Sequence, residues 1–205
     1  MISTIRRLLV PAVAVALAAA CASPASQSAG EPFASAQLRA ADGAEIGDVQ
    51  FFEEAGATMV RVNVTVPDGV TAADAFHGFH IHANDDPANG EGCVADPNAD
   101  PMTWFVSADG HWRADPQAHA DHLGDMPPLL VTRDGTASMT FRTSRILAPA
   151  DIVGRAVILH DGPDNLGNIP IGGGPEQYTP NSPDAVDLTG RTGNAGVRIA
   201  CGLIG

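Results

Sequence analysis

Gly78-Phe79-His80-Ile81-His82 sets two imidazoles two residues apart in an apolar run. On a β-strand successive side chains alternate between faces, so residues i and i+2 share one. Read as a strand, this stretch lets His80 and His82 converge on one ion. His111, His119, His122 and Asp125 then bring the total to five histidines and a carboxylate between Gly78 and Asp125. His122-Leu123-Gly124-Asp125 gathers a nitrogen and an oxygen donor around a glycine bend. That mixture suits zinc, and imidazole-only ligation suits copper as well as zinc. One histidine beside apolar residues is ordinarily a core or surface residue. Six candidate donors at ligand spacing point instead to a metal site.

The alternation extends outward from this stretch. Residues 58–66 read Thr-Met-Val-Arg-Val-Asn-Val-Thr-Val, a period-two strand carrying Met59, Val60 and the valines at 62, 64 and 66. Further strands are expected over 33–39, 46–53, 78–83, 129–132, 136–143, 157–160 and 197–202. Asp42-Gly43, Ala55-Gly56, Pro67-Asp68-Gly69 and Arg133-Asp134-Gly135 supply turns between them. Val157 to His160 would deliver another histidine at a strand end. Residues 84–128 and 161–191 show neither period and read as two long loops, a length that is usually functional or disordered. Trp104 and Trp112 are expected to cover apolar surface in the first. No internal repeat and no helix of convincing length emerges. Many short strands separated by turns imply a sandwich or barrel, and 205 residues fit one domain.

The net charge is −13, and every basic residue is arginine. Such acidity argues against nucleic acid as a partner, which would want a basic face.

Residues 1–20 read as a signal segment. Arg6 and Arg7 form its charged start, and an apolar run too short to span a bilayer follows. Leu17-Ala18-Ala19-Ala20-Cys21 resembles a bacterial lipobox, although leucine is more usual where Ala18 stands. It implies lipidation of Cys21 and a membrane anchor, the alternative being cleavage nearby without lipid. Residues 21–32, rich in Ser, Ala, Pro and Gly, read as a flexible tether. With Cys21 so used, Cys93 and Cys201 are left as a pair in an oxidising setting. The alternative is two buried thiols.

Over residues 33–205 the chain resembles the exported bacterial copper/zinc superoxide dismutases. The resemblance is carried by Phe76-His77-Gly78-Phe79-His80-Ile81-His82, by His122-Leu123-Gly124-Asp125, and by Gly193-Asn194-Ala195-Gly196-Val197-Arg198-Ile199-Ala200-Cys201-Gly202. It implies an all-β fold, an eight-stranded antiparallel Greek-key β-barrel or sandwich with two long functional loops. It implies copper on His80, His82, His111 and His160, and zinc on His111, His119, His122 and Asp125, with His111 bridging the two. Asp164 would be the carboxylate that orients ligating imidazoles, and His77 a hydrogen-bonded core residue. Cys93 and Cys201 match the family's disulfide. Arg198 matches the arginine beside copper, which with His111 would serve catalysis.

The implied reaction converts superoxide to dioxygen and hydrogen peroxide by alternate reduction and oxidation of copper, with His111 delivering a proton and Arg198 docking the anion. A non-catalytic copper and zinc carrier on the same fold is the alternative. It would be expected to lack a ligand or the arginine, and neither is lacking. Two features depart from the eukaryotic members of the family. The stretch from His119 to His122 is shorter. The loop at 161–191 has no lysine for steering substrate, and Arg191 is its only basic residue.

Overall fold

A computed structural model describes residues 30–67, 69, 73–146, 148–171, 178–183 and 189–205. The expected signal segment, Cys21 and the tether as far as residue 29 lie outside the described residues, as do parts of the second long loop.

Among the described residues nine strands follow one another: β1 (Ala34–Ala40), β2 (Glu45–Glu54), β3 (Ala57–Thr65), β4 (Ala75–His77), β5 (Phe79–His82), β6 (Leu129–Val131), β7 (Thr136–Thr143), β8 (Ala156–His160) and β9 (Arg198–Leu203). Alternation builds them. In β1 every second residue from Ala34 to Ala40 is buried and the rest are exposed. In β3 Thr58, Val60, Val62 and Val64 form the buried row, while Met59 falls on the opposite face.

Seven strands pair antiparallel in the order β5-β8-β9-β1-β2-β3-β7, and β4 pairs with β6 in a separate ribbon. β4 and β5 are one line of chain interrupted at Gly78. Before it the line pairs with β6; after it, with β8. A side chain at Gly78 would place its Cβ 2.5 Å from Ala195 Cβ and 2.9 Å from Asp164 Oδ1, so only glycine permits this junction. Counted as one, β4 and β5 make the expected eight strands. From β3 the chain crosses to the far edge of the curled sheet, the long connection of a Greek key. β6 returns into β7 through a turn in which the Thr132 N–H donates to the Thr136 carbonyl at 2.8 Å.

The curl encloses Leu38, Phe51, Val62, Phe79, Ile81 and Leu159 with their neighbours, all in one buried cluster. Burying each such side chain contributes roughly 1.5–3 kcal/mol. A second cluster lies on the outer face of β8 and β9, where Ala156, Ile158 and Cys201 meet Phe105 and Ala108 of the first long loop. Trp104 packs against it, and Trp112 packs against the main core beneath the Arg155 guanidinium. Cys93 and Cys201 are disulfide-bonded, with Cα atoms 5.5 Å apart, tying that loop to β9.

One irregularity fixes the place of Arg198. Leu159 pairs with Ala200, but His160 pairs with Arg198, so Ile199 is an extra residue in β9. Ile199 and Ala200, though adjacent, both belong to the main core. The bulge shifts the alternation by one and puts Arg198 beside His160 on the outer face.

Helix is scarce among the described residues: single turns α1 (Pro149–Ile152) and α2 (Thr189–Thr192), and three 3₁₀ turns in the first long loop. No helix among them is long and apolar enough to cross a membrane.

Candidate metal centre

β5 alternates as its sequence requires. Phe79 and Ile81 enter the main core, and His80 and His82 take the opposite face. β8 delivers His160 to the same face, and an isolated bridge from His82 to His111 brings in the loop. The potential donor atoms of His80, His82, His111 and His160 all lie within 4.8 Å of one another, and all four residues are buried.

Each imidazole is held by one nitrogen and aimed with the other. His80 Nε2 lies 2.8 Å from Asp164 Oδ1, which accepts its hydrogen. His82 Nδ1 donates to the Asp109 carbonyl at 2.8 Å, and His160 Nδ1 to the Gly196 carbonyl at 3.1 Å. A carbonyl oxygen only accepts, so these bonds fix the tautomer and leave the other nitrogen's lone pair free. The nitrogens left without a hydrogen-bond partner include His80 Nδ1, His82 Nε2, His111 Nε2 and His160 Nε2, all buried. Four buried, unpartnered nitrogens turned on one point are costly without an ion and natural around one.

Charge argues the same way. Burial, and then the neighbouring imidazoles and Arg198, push His82 and His160 well below the ordinary histidine value. Burial and His80 lower His111 to about 3, against the pull of Asp125. These rings stay neutral at physiological pH, the state a metal requires.

A second convergence shares His111. Asp125 Oδ1 is 2.8 Å from His111 Nδ1, and its Oδ2 lies 3.1 Å from His119 Nδ1 and 3.3 Å from His122 Nδ1. Donor atoms of His80, His111, His119 and Asp125 also fall within 4.8 Å of one another. His122 Nδ1 completes the set at 3.3 Å from His111 Nδ1. The bend expected at Gly124 is enforced by close approach, since a Cβ there would lie 2.2 Å from the Ile81 carbonyl oxygen. Burial would raise Asp125, but its hydrogen bonds to His111, His119 and His122 hold it far below the carboxylate range. Burial likewise pulls His119 down, and Asp125 and Asp164 outweigh it, raising this histidine to about 9.

Three nitrogens and a carboxylate oxygen make a zinc-type donor set, and four imidazoles make a copper-type one. Both groups of residues fit the metals the sequence suggests. Asp164 spans the two, touching His80 and standing 3.3 Å from His119 Nε2. His77 stays apart: its Nδ1 donates to the His160 carbonyl at 3.1 Å, inside the protein.

Arg198 faces the copper-type group. Its Nη1 donates to the Phe105 carbonyl and its Nη2 to the Asp109 carbonyl at 2.7 Å. It lines a pocket of about 230 Å³ with His82, His111 and His160. Beside this pocket, and sharing Gly110, His111 and Thr192 with it, lies a hollow of about 430 Å³ that Arg113 and Arg191 help to line. Sequence reading missed Asp109. Its carbonyl serves His82 and Arg198 together, and a backbone acceptor leaves no residue-type signature.

Known proteins resemble this chain over most of its length. The family model described as copper/zinc superoxide dismutase matches residues 45–204. A superoxide dismutase [Cu-Zn] of Mycolicibacterium paratuberculosis (strain ATCC BAA-968 / K-10) is 33% identical over 183 residues, covering 86% of this chain and 76% of that protein. Superoxide dismutase [Cu-Zn] 2 of Brassica juncea is 37% identical over 157 residues, covering 76% and 86%. The crystal structure of the clock protein EA4 superposes with a TM-score of 0.59 at 23% identity, covering 86% of this chain and 96% of that one; it speaks for the fold alone.

Proposed function

The chain belongs to the copper/zinc superoxide dismutase family, and from that premise we infer which of its residues carry the dismutation of superoxide to dioxygen and hydrogen peroxide. His80, His82, His111 and His160 hold copper. His111, His119, His122 and Asp125 hold zinc. The observation that carries this reading is the convergence of four buried, unpartnered nitrogens on one point.

Copper would supply the one-electron chemistry when bound, and zinc redox-inert Lewis acidity. The chain does the rest. Asp109 and Gly196 fix the tautomers of His82 and His160. Asp164 orients His80 and stands against His119, so one carboxylate governs a ring from each metal group. His111 belongs to both groups and can move a proton at Nε2 while Nδ1 stays held. Arg198 presents a fixed positive charge to an anion in the pocket, its guanidinium set by two carbonyls. Pulse radiolysis of the copper- and zinc-loaded protein tests the assignment. A second-order rate near the diffusional ceiling supports it, and this enzyme class is itself a known instance of that ceiling. A negligible rate at full metal occupancy would favour a metal carrier.

The same proposal extends to the N-terminus. Residues 1–20 direct export, Cys21 is lipidated, 21–32 tether the catalytic domain, and 33–205 form it. The short apolar run behind Arg6 and Arg7 supports this, as does the disulfide, which suits an oxidising compartment. Mass spectrometry of the N-terminal peptide from bacterial membranes tests it. An unmodified Cys21 in a soluble mature protein would overturn lipidation.

A further inference from the structure

Arg145 follows β7 by two residues and is half-buried. Its Nη1 donates to the carbonyl of His122 at 2.9 Å and to that of Asp125 at 3.0 Å. Its Nη2 donates to the carbonyl of Ala120 and to Asp121 Oδ1, each at 3.1 Å. Four acceptors from six consecutive residues meet one guanidinium, and three of them are backbone. The residues so held include His122 and Asp125, whose side chains converge with His111 and His119.

The other side of this turn is fastened to the barrel. The Ile81 N–H donates to the Gly124 carbonyl and the Gly124 N–H to the Trp112 carbonyl, both at 2.8 Å. Between those bonds and Arg145 the turn has little freedom. The guanidinium suits the task because its donors form a rigid fork, whereas an ammonium is a point charge on a flexible stem. Attraction does not explain the arrangement, since a guanidinium near a zinc ion repels it. Asp121, the charge partner, is mostly exposed, and such a pair contributes little. What remains is geometry.

We propose that Arg145 is a positioning residue for the zinc site: by gripping the carbonyls of Ala120, His122 and Asp125 it holds the ligand turn in its zinc-binding shape before the ion arrives. This rests on reading His122 and Asp125 as zinc ligands. Groups that orient ligands from outside the coordination sphere typically contribute 10–100-fold in metal affinity.

The test compares the full chain with Arg145→Gln, Arg145→Lys, Asp121→Asn and His122→Ala. Zinc and copper affinities are measured by chelator competition, and cobalt in the zinc position reports its geometry through its visible bands. Arg145→Gln is expected to weaken zinc by about 10–100-fold and shift the cobalt bands, with copper affinity unchanged. Asp121→Asn should bind zinc as the parent does, and Arg145→Lys should fall between. If Arg145→Gln does not fold, Arg145→Lys carries the same readouts. Parental zinc affinity and cobalt bands in the Arg145 variants would overturn the proposal. So would parallel loss of both metals, which marks a merely structural arginine. Unchanged zinc in His122→Ala would overturn it by removing the ligand assignment. A parent that binds zinc through His122 yet does not dismute superoxide would sink the catalytic reading and leave Arg145 in its role.

Discussion

Asp164 Oδ1 lies 2.8 Å from His80 Nε2, with both side chains buried. The same oxygen stands 3.3 Å from His119 Nε2, so this carboxylate reaches from the copper-type donors to the zinc-type donors by a route outside His111. Asp164→Asn keeps the shape and removes the charge. Affinity for both metals should fall by about 10–100-fold, the loss for zinc being partly offset at neutral pH because His119, less basic without Asp164, holds its competing proton less tightly. Paired chelator titrations check this, and loss of only one metal would show that the bridge does not couple them.

Arg198→Ala removes the charge from the pocket without touching a donor nitrogen. The second-order rate should drop by about tenfold, the low end of electrostatic steering in general, a phenomenon for which this enzyme class is itself a known example. Copper content should hold. Measuring the rate at several salt concentrations separates steering from collapse, and an unchanged rate would end the assigned role.

His80→Ala and His122→Ala separate the two groups. Donor atoms of His80 lie near those of His119 and Asp125 as well as the copper-type set. His80 is held through Nε2, which leaves its Nδ1 for copper, and His122 stands with the zinc-type donors because its Nδ1 approaches Asp125 Oδ2 and His111 Nδ1. His80→Ala should release copper first and His122→Ala should release zinc alone. The opposite pattern, read by metal analysis after dialysis, would exchange the two assignments.

Zinc binding should depend on pH through His119. This ring, raised to about 9 in the metal-free protein, holds its proton at neutral pH. Zinc must displace that proton, because a ligating imidazole is neutral. Apparent affinity should therefore climb with pH up to about 9 and level off beyond it, by about tenfold per pH unit for one displaced proton. Calorimetry at pH 7 in buffers of different ionisation enthalpy counts the protons released. A count near zero would contradict the raised value.

The disulfide closes a sequence separation of 108 residues. Cys93→Ser with Cys201→Ser should lower stability by up to about 4–5 kcal/mol on chain-entropy grounds. It should also slow dismutation, because Phe105 and Asp109, whose carbonyls seat Arg198, lie on the loop so tied. Denaturant titration and rate measurement on the same metal-loaded sample check both. A full rate in the reduced form would show that the loop holds Arg198 unaided.

The sequence is legible where chemistry or alternation is local. The strand expected over 136–143 is β7 as observed, and 58–66 is displaced by one residue. His80 and His82 share a face because period two leaves them no choice. The short β4 was not legible: three residues carry no periodicity, and its separation from β5 follows from Asp164 and Ala195 pressing on Gly78, both distant in sequence. Arg145 and Asp109 escaped notice because the bonds that matter run to or from carbonyl oxygens, which every residue possesses. Met59 looked like part of the valine row only because an apolar residue on the other face resembles one on this face.

The bulge at Ile199 has a hereditary consequence. Strands are tolerant of substitution but not of miscounting, because one residue more or less exchanges their two faces. Here the count is one residue longer than the ladder requires, and the bulge absorbs it: Ile199 and Ala200 both face inward while Arg198 stays beside His160. An in-frame loss of the Ile199 codon would leave every other residue intact and restore a regular ladder. In that ladder Arg198 would still pair with His160 and Ala200 with Leu159, so the loss would cost one buried side chain and a local bend, not the assignment of the two faces. Loss of this one codon should therefore be better tolerated than loss of the Ile158 codon, which lies in the regular ladder and would exchange the faces of β8 to one side. Soluble yield and activity of the two deletion variants check this, and a worse outcome for the Ile199 deletion would show the bulge itself to be indispensable.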